Sequence, residues 1–216
     1  AQNVECALRR VAMALWNDRV RTFDLDKLRE IISDASSPWQ NSLTRALEDE
    51  GVLSRNPVSW HPKIDLEDQN HNQVSAIIYD GFAGFMIADA ILTQVGVNGL
   101  QTWFSENAPL LDVTQFSKAH PLAEDIVSGF AGLLPLKPPY KQFWTFVDSP
   151  LREAALLEAT RLEGSRIDDE TLNSLKAMAA ASPKIVEKGL FERLSRTVSI
   201  PGHPLNADFL DSLLRE

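Results

Sequence analysis

Apolar residues recur along the first fifty positions at helical spacing. Val4, Leu8, Val11 and Leu15 fall at steps of four, three and four, which predicts an amphipathic helix over 3–17. Asp24 stands as an N-cap before "LDKLREIISD", with Leu25, Leu28, Ile31 and Ile32 facing inward. Pro38 opens a third helix, "PWQNSLTRALEDE", whose buried side is Trp39, Leu43, Ala46 and Leu47. Gly51 follows as a left-handed C-cap. "VLSR" then reads as a strand and "NPVSWHPKIDLEDQNHNQ" as a loop, on its Asn, Pro and Asp content. "VSAIIY" is a second strand, buried through Tyr79. Three helices and two strands that pair as a wing give the order of a winged helix.

The pattern changes at Asp80. From there to Gly96 only Asp80, Asp89, Thr93 and Gln94 interrupt an apolar run at helical spacing. A helix apolar on most faces is expected to be covered on most faces. The expectation is therefore that Phe82, Phe85 and Leu92 are buried, with Phe85→Ala costing about 3–5 kcal/mol. Ala88, on the face of Phe85 and Leu92, is expected to admit a close helix neighbour. Beyond Gly96 only helices are read: "NGLQTWFSENAPLL", "HPLAEDIVSGFAGLLP" through Leu122, Ile126, Phe130 and Leu133, and four more from "LREAALLEATRL" to "HPLNADFLDSLLRE". Asp168 is an expected N-cap and Pro183 an expected first helical residue. The fold class is mainly α: a winged helix with its exit helix over 1–96, then an irregular array of antiparallel helices over 97–216.

Composition narrows the setting. The chain has 216 residues, is 44% hydrophobic and carries a formal net charge of −9. Nine basic residues face fourteen acidic ones up to Gly96, and twelve face sixteen after it, so no half offers a basic surface to phosphates. Cys6 is the single cysteine, which excludes an internal disulfide and a thiolate cluster. A reducing cytoplasm is expected. The first residue is Ala1, which reads as a piece of a longer or processed chain without a signal peptide. The longest apolar run is shorter than the roughly 20 residues of a membrane span, so no membrane partner is expected.

Reaction chemistry is hard to find. No G-x-x-x-x-G-K-[ST] loop, G-x-G-x-x-G turn, H-E-x-x-H or G-x-S-x-G occurs. His61 and His71 share the wing loop, where solvated histidines are favoured over a metal site. His120 and His203 each open a "HPL" sequence at a helix start, and capping or packing is the expected role. Glu48, Asp49 and Glu50, and Asp168, Asp169 and Glu170, read as solvated helix-end charge. Trp16, Trp39, Trp60, Trp103 and Trp144 read as core and interface residues. No catalytic, cofactor-binding or metal-binding residue is assigned. DNA reading is disfavoured too. The third helix has Arg45 against three acids, Gln40 and Asn41 reach bases only at its start, and Lys63 in the wing lies beside Asp65, Glu67 and Asp68.

The segment "YDGFAGFMIA" resembles one that closes the winged helix of NACHT and related signal-transducing ATPases, the STAND class. Tyr79, Phe82, Phe85 and Ala88 fall on the His, Phe, aromatic and final Ala positions of its H-x-x-F-x-E-[FY]-x-A-A pattern. "HPLNADFLDSLL" is similar to a helical-region segment of bacterial antiviral members, and "FVDSPLREA" to the short element that often precedes it. Tyr79 stands where the family has its nucleotide-sensing His, and Gly84 where it has the acid. The resemblance implies a non-catalytic regulatory and scaffold region, plausibly in antiviral defence. It would couple a nucleotide-binding domain of the same chain, preceding Ala1, to a sensor or effector region. The parent would bind ATP or ADP with Mg, and its assembly as a homo-oligomer is open. The alternatives are a winged-helix transcription regulator with a helical effector or dimerisation domain, and an enzyme of unrecognised helical fold.

Overall fold

A computed structural model describes residues 2–56, 74–112, 118–137 and 139–140, with shorter stretches at 169, 172–173, 202–208 and 211. The protein is mainly helical. It divides into two compact units that interleave along the chain: Ala1–Gly96 with Pro109–Gly129, and Val97–Ala108 with Phe130–Glu216.

The first unit begins with helix α1, Gln2–Asp18. Its buried side is Ala7, Val11, Ala12, Leu15 and Trp16, while Val4 and Leu8 are half-buried, so the core stripe lies slightly round from the predicted one. Strand β1, Phe23–Asp24, leads directly into helix α2, Leu25–Ile32. As predicted, Asp24 caps α2, accepting the Lys27 N–H at 2.8 Å. Leu28 and Ile32 are buried, whereas Leu25 and Ile31 are half-buried. Ser33 ends α2 in the left-handed region. From α1, Arg10 reaches over to donate to the Ser33 hydroxyl (2.7 Å) and the Ile32 carbonyl (2.8 Å), placing a cation at the C-terminus of α2.

The third helix is not one piece from Pro38. A 3₁₀ turn, Trp39–Asn41, comes first, and α3 proper is Leu43–Asp49. Ser42 separates them in an extended conformation, its hydroxyl accepting the Arg45 N–H at 3.1 Å. A buried carboxylate fixes that break. Asp34 Oδ2 accepts both the Thr44 N–H and the Thr44 hydroxyl at 2.8 Å, so Thr44 is held in the core at the first turn of α3. Ala46, expected inside, is exposed in consequence; Leu47 is buried, and Trp39 and Leu43 are half-buried. Gly51 is left-handed (φ 70°) as predicted, and the chain turns into β2, Leu53–Asn56.

Strand β3, Val74–Ile77, pairs antiparallel with β2, from Leu53 opposite Ile77 to Asn56 opposite Val74. It pairs on its other side with β1, Phe23 opposite Ser75. The sheet therefore has three strands in the order β1-β3-β2, not the two expected. A two-residue strand is too short to show a period of two, and Phe23 is buried beneath it. Expectations placed on residues 57–73, including His61, Lys63 and His71, lie outside the described residues.

Helix α4, Asp80–Leu111, contains a break at Gly96, where φ 68° and ψ 175° are non-helical. That backbone conformation is essentially confined to glycine. Two helical segments, 80–95 and 97–111, result. Its most apolar eighteen residues average a hydropathy of 1.3, long and apolar enough by composition to cross a membrane, although 44% of that window is buried within the fold. The count of uninterrupted apolar residues missed this, since Gly, Thr and Asn interrupt the run without ending the helix. In the first unit, Ala83, Ile87, Ala88, Ile91 and Leu92 are buried.

Helix α5, Ala123–Leu133, buries Leu122 just before its start, then Ile126 and Val127, and enters the second unit at Phe130. In that unit Trp103 and Phe104 pack around Phe130, with ring centroids 5.5 and 5.0 Å from it, and Leu100 and Leu134 are fully buried. Asp168, Pro183 and the predicted helices between 141 and 200 fall outside the described residues, apart from isolated positions.

Candidate docking surface

The residues that carry the family resemblance behave differently from their expected burial. Ile78 and Tyr79 leave β3 and are 41% and 69% exposed; Phe82 and Phe85 on α4 are 40% and 41% exposed. The strand ends at Ile77, so Tyr79 does not close a buried strand but precedes α4 in an extended conformation. At 100° per residue, Phe82 and Phe85 share a stripe with Asp89 and Thr93, whereas Ala83, Ile87, Ile91 and Ala88 point the other way. The reasoning that an all-round apolar helix is covered all round fails on this stripe. Ala88 and Leu92 are buried as expected; Phe82 and Phe85 are not.

What lies under the stripe explains its position. A Cβ on Gly84 would stand 2.2 Å from the carbonyl carbon of Asp125, and one on Gly129 would stand 2.8 Å from the Gly84 oxygen. Helices α4 and α5 therefore cross backbone to backbone, which glycine alone permits. Gly84, the departure from the family's acid, is required by this contact. The crossing brings the Asp125 carboxyl to the first turns of α4, with Oδ1 3.9 Å from where a Gly81 Cβ would be. Burial, then Asp80, then Glu124 push the Asp125 pKa up from its ordinary value, opposed by Arg21. Arg21 is ion-paired with Asp80. The exposed aromatic stripe is thus rimmed on one side by acids. Further along, Asp89 is 3.6 Å from Arg9, itself paired with Glu5 at 2.9 Å.

An open groove of about 500 Å³ adjoins the patch through Ile78, lined also by Trp39, Arg45, Glu48, Asp49, Gly51, Leu53 and Ser54. Arg45 there is tied to Asp49 at 3.4 Å. This groove is open, and the Arg45–Asp49 pair lies in it beside Glu48 and Ser54.

The remaining candidates have structural roles. His120 is buried and stacks on Trp16 at 5.4 Å. Its Nδ1 accepts the Leu122 N–H at 3.0 Å, which places the ring proton on Nε2, donated to the Leu15 carbonyl at 2.9 Å. His203 uses the same local device, its Nδ1 accepting the Leu205 N–H at 3.1 Å. Both buried histidines thus accept the N–H two residues on, in line with the expected capping or packing; the helix that begins at 207 is capped by Asn206, whose Oδ1 accepts the Asp208 N–H at 3.0 Å. Asp34, buried with Arg29 Nε at 3.5 Å, belongs to the α2–α3 corner, where Arg29 also donates to the Asp34 and Ser37 carbonyls. Arg29 lies over the Trp39 ring, 5.8 Å from its centroid. Cys6 is exposed. Among the described residues no three His, Cys, Asp or Glu side chains gather as metal ligands. Trp60, Trp144, His61 and His71 are outside the described residues. No family model, curated protein or solved structure matches this chain.

Proposed function

We propose that this chain is a non-catalytic coupling region of a cytoplasmic STAND-type ATPase, plausibly an antiviral one, built on a winged helix. The exposed stripe of Tyr79, Phe82 and Phe85 is the observation that carries the reading. Those three side chains fall on the family-like positions, and with Ile78 they are the large apolar groups that the first unit leaves exposed among the described residues. A preceding nucleotide-binding domain resting there would bury them. The element order α1-β1-α2-α3-β2-β3 and the sheet order β1-β3-β2 support the winged-helix part. The exit helix then continues past Gly96 into a helical array, so a displaced docking domain has a packed element to push on. Tyr79 is exposed enough to meet a phosphate with its hydroxyl, in place of the family's histidine.

The test uses the protein as expressed from its own gene. A P-loop upstream of Ala1 is expected, and Phe82→Asp with Phe85→Asp should keep ATP binding while abolishing ATP-dependent assembly. An open reading frame without a P-loop, or a double variant that assembles like the wild type, overturns the proposal. A transcription regulator would instead show salt-dependent binding to duplex DNA. The pairing of Arg45 with Asp49 on α3 argues against that outcome.

A further inference from the structure

We propose that the exposed side of α4 at Phe82 and Phe85, with Tyr79 just ahead of it, receives an amphipathic helix whose apolar ridge is flanked by Lys or Arg, and not a second copy of this chain. The inference rests on the docking role proposed above for the same face and specifies the chemistry of its occupant. Three large side chains, Tyr79, Phe82 and Phe85, all at least 40% exposed, set the apolar part of the match. The rim sets the rest. The close crossing at Gly84 and Gly129 holds Asp125 against the first turns of α4, beside Asp80 and Glu124. Among the described residues Arg21 is the one cation bearing on Asp125, and it is already paired with Asp80. The acids crowd one another. An incoming ammonium or guanidinium relieves that crowding, so cations beside the apolar ridge add both attraction and register. A two-fold interface through this patch does the opposite. It would turn the acidic rim of each copy toward the patch of its mate, in a chain of net charge −9.

Two synthetic helices with the same leucine stripe, one flanked by lysines and one by glutamates, are the probes. Titrated against the 216-residue chain by fluorescence anisotropy, the lysine peptide should bind at least about tenfold tighter than the glutamate peptide, and the gap should shrink at high salt. Phe82→Ser with Phe85→Ser should abolish binding of the lysine peptide. Glu124→Gln with Asp125→Asn should bring the two affinities together while leaving apolar docking in place. Thermal melts confirm that the variants fold, and Phe82→Gln with Phe85→Gln replaces the serine pair if they do not. Equal affinity for both peptides overturns the charge assignment and leaves the docking face standing. Lysine-peptide binding that ignores Phe82 and Phe85 removes both. A concentration-dependent dimer that the serine pair dissolves puts a second copy on the face and overturns the inference.

Discussion

Burial, with the Arg19 charge adding to it, holds His120 below its ordinary pKa of 6.5, opposed by the bond to the Leu15 carbonyl, which favours the protonated ring. The unfolded chain takes up a proton near 6.5, the folded chain only at lower pH. Stability from this group is therefore complete above 6.5 and is lost as pH falls through the lowered folded value. Urea unfolding at about pH 7.5 and about pH 5.5 should show that loss. His120→Leu should cost about 1–3 kcal/mol at neutral pH, because the buried Leu122 N–H loses its acceptor. It should also flatten the acid dependence; an unchanged slope would assign the pH effect elsewhere. Asp125 has the opposite sign. Its raised value favours the protonated form in the fold, so its contribution is present below the ordinary 3.8 and lost as pH rises through the raised value. Asp125→Asn should raise the melting temperature at neutral pH and have no advantage in acid. A lower melting temperature at neutral pH would mean that the carboxylate is held by partners not accounted for here. The local acceptor role of His120 and His203 was legible in "HPL", since a short sequence fixes both the turn and the acceptor. The exposure of Phe82 and Phe85 was not, because composition alone does not say which face of an apolar helix its neighbours reach.

Helix α4 is where local pattern and tertiary contact diverge. Gly84 on α4 and Gly129 on α5 set how closely the two helices approach. Gly84→Ala should destabilise the first unit by about 1–3 kcal/mol or more, as overpacking does, because the obstructing atoms are backbone. Gly129→Ala, with its nearest atom at 2.8 Å, should cost less than Gly84→Ala. Equal melting temperatures for Gly84→Ala and the wild type would contradict the crossing. Gly96 differs in kind: a Cβ there meets nothing within 4 Å, so Gly96→Ala tests backbone conformation alone. A cost of about 1–3 kcal/mol is expected from the φ 68°, ψ 175° geometry. The three helices before Gly51 and the change of grammar at Asp80 were readable from periodicity and caps. Strand β1 and the Ser42 break were not, since pairing with β3 and the Asp34–Thr44 contact join residues distant in sequence or depend on a buried acid.

At the scale of the whole molecule, the proposed function lies in an exposed surface. Phe82→Ser and Phe85→Ser should each shift the stability of this chain by less than about 1 kcal/mol, as exposed positions do. A core role would instead cost several times that. The proposed coupling role rests on the exposed aromatic side chains where β3 gives way to α4. The most direct measurement is hydroxyl-radical footprinting of Tyr79, Phe82 and Phe85, comparing the 216-residue chain with the protein expressed from its own gene. All three should be oxidised readily in the 216-residue chain and protected in the natural protein with nucleotide bound. Equal oxidation in both would contradict the docking surface, and with it the coupling role.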